Sequence, residues 1–111
     1  IRFKAFLVLL KNCEFIIGNS SAGVREAPFY AIPTINIGNR QNGRFLHKTI
    51  IDVPESMEKI ISAIEKVKCL KVKSSKHFGD GKSTKRFLNV LKSKSIWAEN
   101  IQKQFVDVNI V

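Results

Sequence analysis

Two serines, a glutamate and two arginines stand where they could meet one ligand. Ser20 and Ser21 lie in GNSSAGVRE with Glu26 at its end, and Arg40 and Arg44 lie in GNRQNGR. Each segment follows a short apolar run stopped by Gly-Asn: Phe15-Ile16-Ile17 ends at Gly18, and Thr34-Ile35-Asn36-Ile37 ends at Gly38. In an open parallel sheet, ligands bind outside the carboxyl ends of the strands. If a helix starts at GNSSAG, its first amides lack internal partners and carry about half a positive charge, which suits a phosphate. Ser20 and Ser21 add hydroxyl donors, while the small Ala22 and Gly23 let an anion approach the backbone. A plain helix cap by Asn19, Ser20 or Ser21 fits the same residues equally well. Glu26, about one turn in, could accept hydrogen bonds from a ribose diol or simply complement the helix dipole. The guanidinium forks of Arg40 and Arg44 suit phosphate or carboxylate. Taken together, these residues describe a clamp for a nucleoside diphosphate.

Such a clamp needs a sheet and crossover helices to hold it. Phe3, Phe6, Leu7 and Leu10 form a helical stripe that Asn12 terminates. The two apolar runs read as strands buried on both faces, as in a parallel sheet. Residues 21–31 between them have the length of a short crossover helix, so the unit is βαβ. Pro28 inside that helix removes a hydrogen bond to the Val24 carbonyl and predicts a short or kinked element. Residues 49–53 read as a third strand, and Met57, Ile60, Ile61, Ile64 and Val67 as a helix entered near Pro54. Residues 71–80 are polar and irregular. Thr84, Phe87, Leu88 and Leu91 give another helical stripe, and Trp97, Ile101 and Phe105 predict a tail that begins as helix. This alternation predicts a doubly wound α/β fold.

At 111 residues the chain could form one domain, yet it opens on Ile1 inside an apolar run, so the expectation is a piece of a longer protein. No run approaches the roughly 18 apolar residues of a membrane span, and the residues after Leu10 do not make a cleavage site. The expected location is cytoplasmic. Cys13 and Cys69 lack zinc or disulfide spacing and are expected to be small buried apolar residues. The net charge of +10 concentrates in residues 66–94, with ten Lys or Arg and one acid, Asp80. A nucleic-acid module would interleave stacking aromatics with these charges, whereas Phe78 and Phe87 stand apart, so a solvated basic surface is the preferred reading.

The stretches GNSSAGVREAP, PTINIGNRQNGR and FGDGKSTKRFLNVL resemble the C-terminal half of hydrolysing UDP-N-acetylglucosamine 2-epimerases, including the epimerase part of the bifunctional sialic-acid biosynthesis enzyme. The resemblance implies a GT-B fold, with residues 1–95 forming part of its Rossmann-like, UDP-binding C-terminal domain and residues 96–111 a tail. It implies that Ser20 and Ser21 bind the UDP diphosphate, that Glu26 holds the ribose, and that Arg40 lines the nucleotide site; Ala22 and Gly23, through their smallness, and Arg44, as a secondary partner of Arg40, complete the expected UDP-binding set. The implied reaction eliminates UDP from the sugar nucleotide and adds water, giving free N-acetylmannosamine or a related sugar. No cofactor, nicotinamide or metal is implied. The family's acid/base carboxylates come from an N-terminal domain, so no catalytic residue is assigned here. His47 and His77 do not match the family's histidine motif and are expected to be surface or loop residues. Expected partners are a UDP-sugar, the N-terminal domain and, for the full-length protein, further copies of itself; neither a membrane nor nucleic acid is among them.

Where the family carries Gly, position 31 is Ala31, at the expected helix C-terminal cap; a left-handed conformation there costs Ala roughly 1 kcal/mol. GDGKST imitates the end of a phosphate-binding P-loop, but position 76, where the first glycine belongs, is Lys76. As a dinucleotide fingerprint it lacks a third glycine, since position 84 is Thr84. Two alternatives stay open: the C-terminal domain of a UDP-sugar glycosyltransferase, and a non-catalytic basic module that binds polyanions through residues 66–94.

Overall fold

Packing begins with the stripe on α1 (Phe3–Asn12). Its Leu10 is buried, and Phe6 joins it against Ala27, Ile32, Cys13, Ile16 and Tyr30. The Asn12 side-chain Nδ2 turns back to donate to the Val8 carbonyl at 2.7 Å, at the point where the stripe and the helix stop. The computed structural model describes residues 1–98 and divides the chain into two compact units, Ile1–Phe78 and Gly79–Val111.

In the first unit, β1 (Ile16–Gly18), β2 (Thr34–Ile37) and β3 (Ile50–Val53) form a parallel sheet in the order β1-β2-β3. Ile17 pairs with Ile35 and Ile35 with Ile51, so these three share a face. On that face Ile35 and Val53 pack against Ala63 and Val67 of α3 (Met57–Lys68), with Ile37, Ile51, Ile60 and Ile64 around them. Fully burying a side chain such as Ile35 contributes about 1.5–3 kcal/mol. The opposite face of β1 and β2 is covered by the crossover and α1, so helices flank both faces and the α/β, doubly wound expectation holds. One strand departs from it. Ile17 is 43% exposed, because β1 is the sheet edge and α3 lies over β2 and β3.

The crossover itself is broken in two. A single turn, α2 (Ala22–Arg25), passes at Glu26 into a 3-10 helix (Ala27–Tyr30) with Pro28 in its first turn. Proline has no amide to continue the helix, which accounts for the break. Ala31 then adopts the left-handed region at φ 57° and donates to the Ala27 and Pro28 carbonyls, while Ile32 donates to Ala27 at 3.0 Å. This is a Schellman ending, closed by the contact between Ile32 and Ala27.

From β2 to β3 the chain crosses without any helix, through residues 38–49. Parallel neighbours need about a dozen residues for such a return. Backbone bonds from Thr34 to Thr49 (2.7 Å) and from Gly38 to Val53 (2.9 Å) close it at both ends. After α3, the polar segment folds back on the 3-10 helix. The Ser75 amide donates to Pro28 at 2.8 Å and the Ser74 hydroxyl to Phe29 at 2.6 Å.

In the second unit, α4 (Ser83–Lys92) and α5 (Lys94–Ala98) are joined by the Trp97 indole, which donates to the Leu91 carbonyl at 2.9 Å. The start of the tail is helical as expected; Ile101 and Phe105 lie outside the described residues. Among the described residues no helix is long and apolar enough to cross a membrane.

Candidate functional site at the carboxyl rim of the sheet

Beyond Gly18, residues 19–21 form a tight turn into α2. Gly23 donates to the Ser20 carbonyl at 3.2 Å, while Val24 and Arg25 both donate to Ser21. Among the described residues, the amides of Ser20 and Ser21 make no backbone hydrogen bond, and that of Ala22 reaches only the Ser20 hydroxyl at 3.3 Å. Three successive amides without a backbone acceptor thus stand at the strand's end, donors of the kind an anion can use. Because α2 is one turn long, this capacity comes from the local amides and hydroxyls far more than from a helix macrodipole. Ser21 caps α2 without a side-chain hydrogen bond, which leaves its hydroxyl unengaged by the helix.

Gly23 is placed differently from its neighbours. It is buried against β2, its carbonyl accepts from the Thr34 hydroxyl at 2.8 Å, and a Cβ on it would stand 2.5 Å from the Thr34 methyl. Its smallness lets α2 lie on the sheet. Glu26 sits at the junction of α2 and the 3-10 helix, half-buried, and the described residues give its carboxylate no ion pair.

The loop after β2 meets the turn after β1 through Gln41. Its Nε2 donates to the Asn19 carbonyl at 2.8 Å, and the side chain is buried at 5% exposure. Arg40, beside it, and Arg44 are exposed, with the Arg44 amide donating to the Gln41 carbonyl at 3.3 Å. The two segments picked out by sequence therefore share one rim. Next to them, Asn36 at the end of β2 donates to Asp52 of β3 at 2.6 Å. Gln41 was missed by residue-type reasoning; its only signal is its place inside GNRQNGR.

A second missed feature is an aromatic stack in the first unit. Phe45 lies 4.3 Å from His77 and 5.6 Å from His47, both nearly parallel, with the Phe78 ring edge-on at 5.1 Å. Both histidines are loop residues as expected. The Nδ1 of His47 also accepts from the Thr49 amide at 3.3 Å. The cysteines divide: Cys13 is half-buried, donates to the Leu10 carbonyl at 3.1 Å, and burial pushes its pKa up. Cys69 corrects the expectation of burial, since it follows the last turn of α3 and is exposed. GDG behaves as a helix entry: Asp80 accepts from the Lys82 amide at 3.1 Å and from both Arg86 nitrogens at 2.7 and 2.8 Å.

A parallel three-stranded sheet flanked by helices, with adjacent strand-end loops tied at one rim, defines an α/β domain of the open-sheet class. The sequence profile of the UDP-N-acetylglucosamine 2-epimerase family matches residues 1–92, and the chain belongs to that family. It is 42% identical over 114 residues to the UDP-N-acetylglucosamine 2-epimerase of Neisseria meningitidis serogroup B, covering 99% of this chain and 30% of that protein. Against the UDP-N,N'-diacetylbacillosamine 2-epimerase (hydrolyzing) of Legionella pneumophila it is 32% identical, covering 88% of this chain and 26% of the relative. The polysialic acid biosynthesis protein P7 of Escherichia coli is 42% identical over 64 residues, covering 58% of this chain and 16% of that one. The chain thus spans less than a third of the length of these curated relatives.

Proposed function

We propose that this chain is the UDP-binding part of a hydrolysing UDP-N-acetylglucosamine 2-epimerase, contributing to the C-terminal domain of a GT-B fold. The observation that carries this is the run of three amides at residues 20–22, free of backbone acceptors, at the carboxyl end of β1. In this reading those amides and the Ser20 and Ser21 hydroxyls hold the diphosphate. Glu26 accepts from the ribose diol, and Arg40, with Arg44 beyond it, balances the remaining charge. Gly23 contributes by letting α2 approach β2, since its own amide is already bonded to Ser20.

The chemical contribution is leaving-group stabilisation. Cleavage of the bond from the sugar to the diphosphate builds negative charge on the departing UDP, and donors already fixed around it lower the barrier. Removal of the sugar's C2 proton and addition of water fall to residues of another domain, so this chain alone binds UDP without turning over the sugar nucleotide. The names of the Neisseria and Legionella relatives fit a UDP-linked amino sugar as substrate.

Titrating the chain with UDP while following backbone amide NMR signals tests the reading. The signals of residues 20–26 are expected to shift saturably, with those of the α3 residues unmoved. If residues 20–26 stayed unperturbed at millimolar UDP, the reading would be abandoned.

A further inference from the structure

Gln41 is more than a tether between two loops. Its carboxamide is pinned by one end: Nε2 donates to the Asn19 carbonyl at 2.8 Å. The reverse orientation would set two carbonyl oxygens against each other, so the identity of the two ends follows from chemistry. The other end, Oε1, is buried and accepts no hydrogen bond among the described residues; it is the one buried side-chain polar atom among them left in that state. Leaving such an acceptor unpaired costs enough free energy to require an explanation. Its position supplies one, because the bond to Asn19 holds it at the seam between the turn carrying Ser20 and the loop carrying Arg40.

We propose that Gln41 Oε1 is a recognition group for the nucleoside half of a nucleoside diphosphate, accepting a hydrogen bond from a ribose hydroxyl or a base N–H. This rests on the diphosphate reading of residues 20–22 and adds a contact to it. The chemistry narrows the ligand group. An ionised diphosphate offers only acceptors and would be repelled by a carbonyl oxygen, whereas ribose and uracil carry donors. One side chain then does two things: its amide nitrogen sets the turn that meets the phosphates, and its oxygen reads what is attached to them.

Two probes separate these roles, UDP and inorganic pyrophosphate, which lacks every nucleoside donor. In the wild-type chain the side-chain carbonyl carbon of Gln41, followed by NMR, is expected to move downfield with UDP and to stay in place with pyrophosphate. Gln41→Met keeps the length and removes both polar ends; loss of the tether weakens both probes alike, and loss of the acceptor should weaken UDP binding about tenfold more than it weakens pyrophosphate binding. A carbonyl signal indifferent to UDP would overturn the inference even if the variant failed to fold. Equal weakening of both probes would also overturn it, leaving Gln41 a tether only, and so would no weakening of either. If the wild-type chain bound neither probe, the diphosphate reading itself would fall and this inference with it; if the wild type bound both, only the Gln41 results decide.

Discussion

Gly23 shows how one residue type serves a reading it was not chosen for. In the sequence its smallness looked like room for an anion, yet its missing Cβ faces the Thr34 methyl, and Thr34 holds the Gly23 carbonyl. Gly23→Ala must push a buried β-branched side chain aside, so stability should fall by about 1–3 kcal/mol, measured by urea denaturation. A variant as stable as the wild type would mean that α2 shifts freely on the sheet. That Ser20, Ser21, Glu26 and Arg40 follow the carboxyl ends of β1 and β2 was legible, because each segment comes after an apolar run stopped by Gly-Asn. Gln41 was not, since an amide side chain has no intrinsic preference for burial, and only the tertiary bond to Asn19 gives it meaning. The Phe45 stack was hidden for a related reason: its members lie on segments far apart in the chain, and stacking leaves no local period.

Strands and helices were legible to within a residue or two, because stripes and Gly stops report local burial directly. The break at Pro28 was also readable, as proline's missing amide acts through its own turn. Ala31 offers a sharper test, since it occupies a left-handed cap that favours glycine. Ala31→Gly should raise stability by about 1 kcal/mol, a rise in Tm of roughly 4–8 °C for a unit of this size. A lowered Tm would contradict the cap. At the start of α4 the interaction with Arg86, together with the Lys82 amide, holds the Asp80 carboxyl below its ordinary range. A depressed folded-state pKa stabilises above the unfolded value and loses that effect as pH falls through the folded one. The pair is exposed, so the effect is small and screened by salt. An NMR titration of the Asp80 carboxyl should give a midpoint below that of a free aspartate, moving toward it in Arg86→Ala; an unchanged midpoint would deny the pairing.

At the scale of the whole molecule, the α/β class was legible from the alternation of stripes and buried runs. The sequential strand order and the helix-free return through residues 38–49 were not, because pairing partners are chosen by long-range packing. The bond between Gln41 and Asn19 joins residues 22 apart. Closing a loop of that length costs roughly 2.7 kcal/mol of chain entropy before any constant, against about 1 kcal/mol net from one hydrogen bond. The bond therefore cannot bring the two loops together by itself; pairing of β1 with β2 must already have done so. Energetically, the rim depends on the sheet. It is also the part a bound nucleotide would hold closed, slowing its opening as seen by hydrogen exchange.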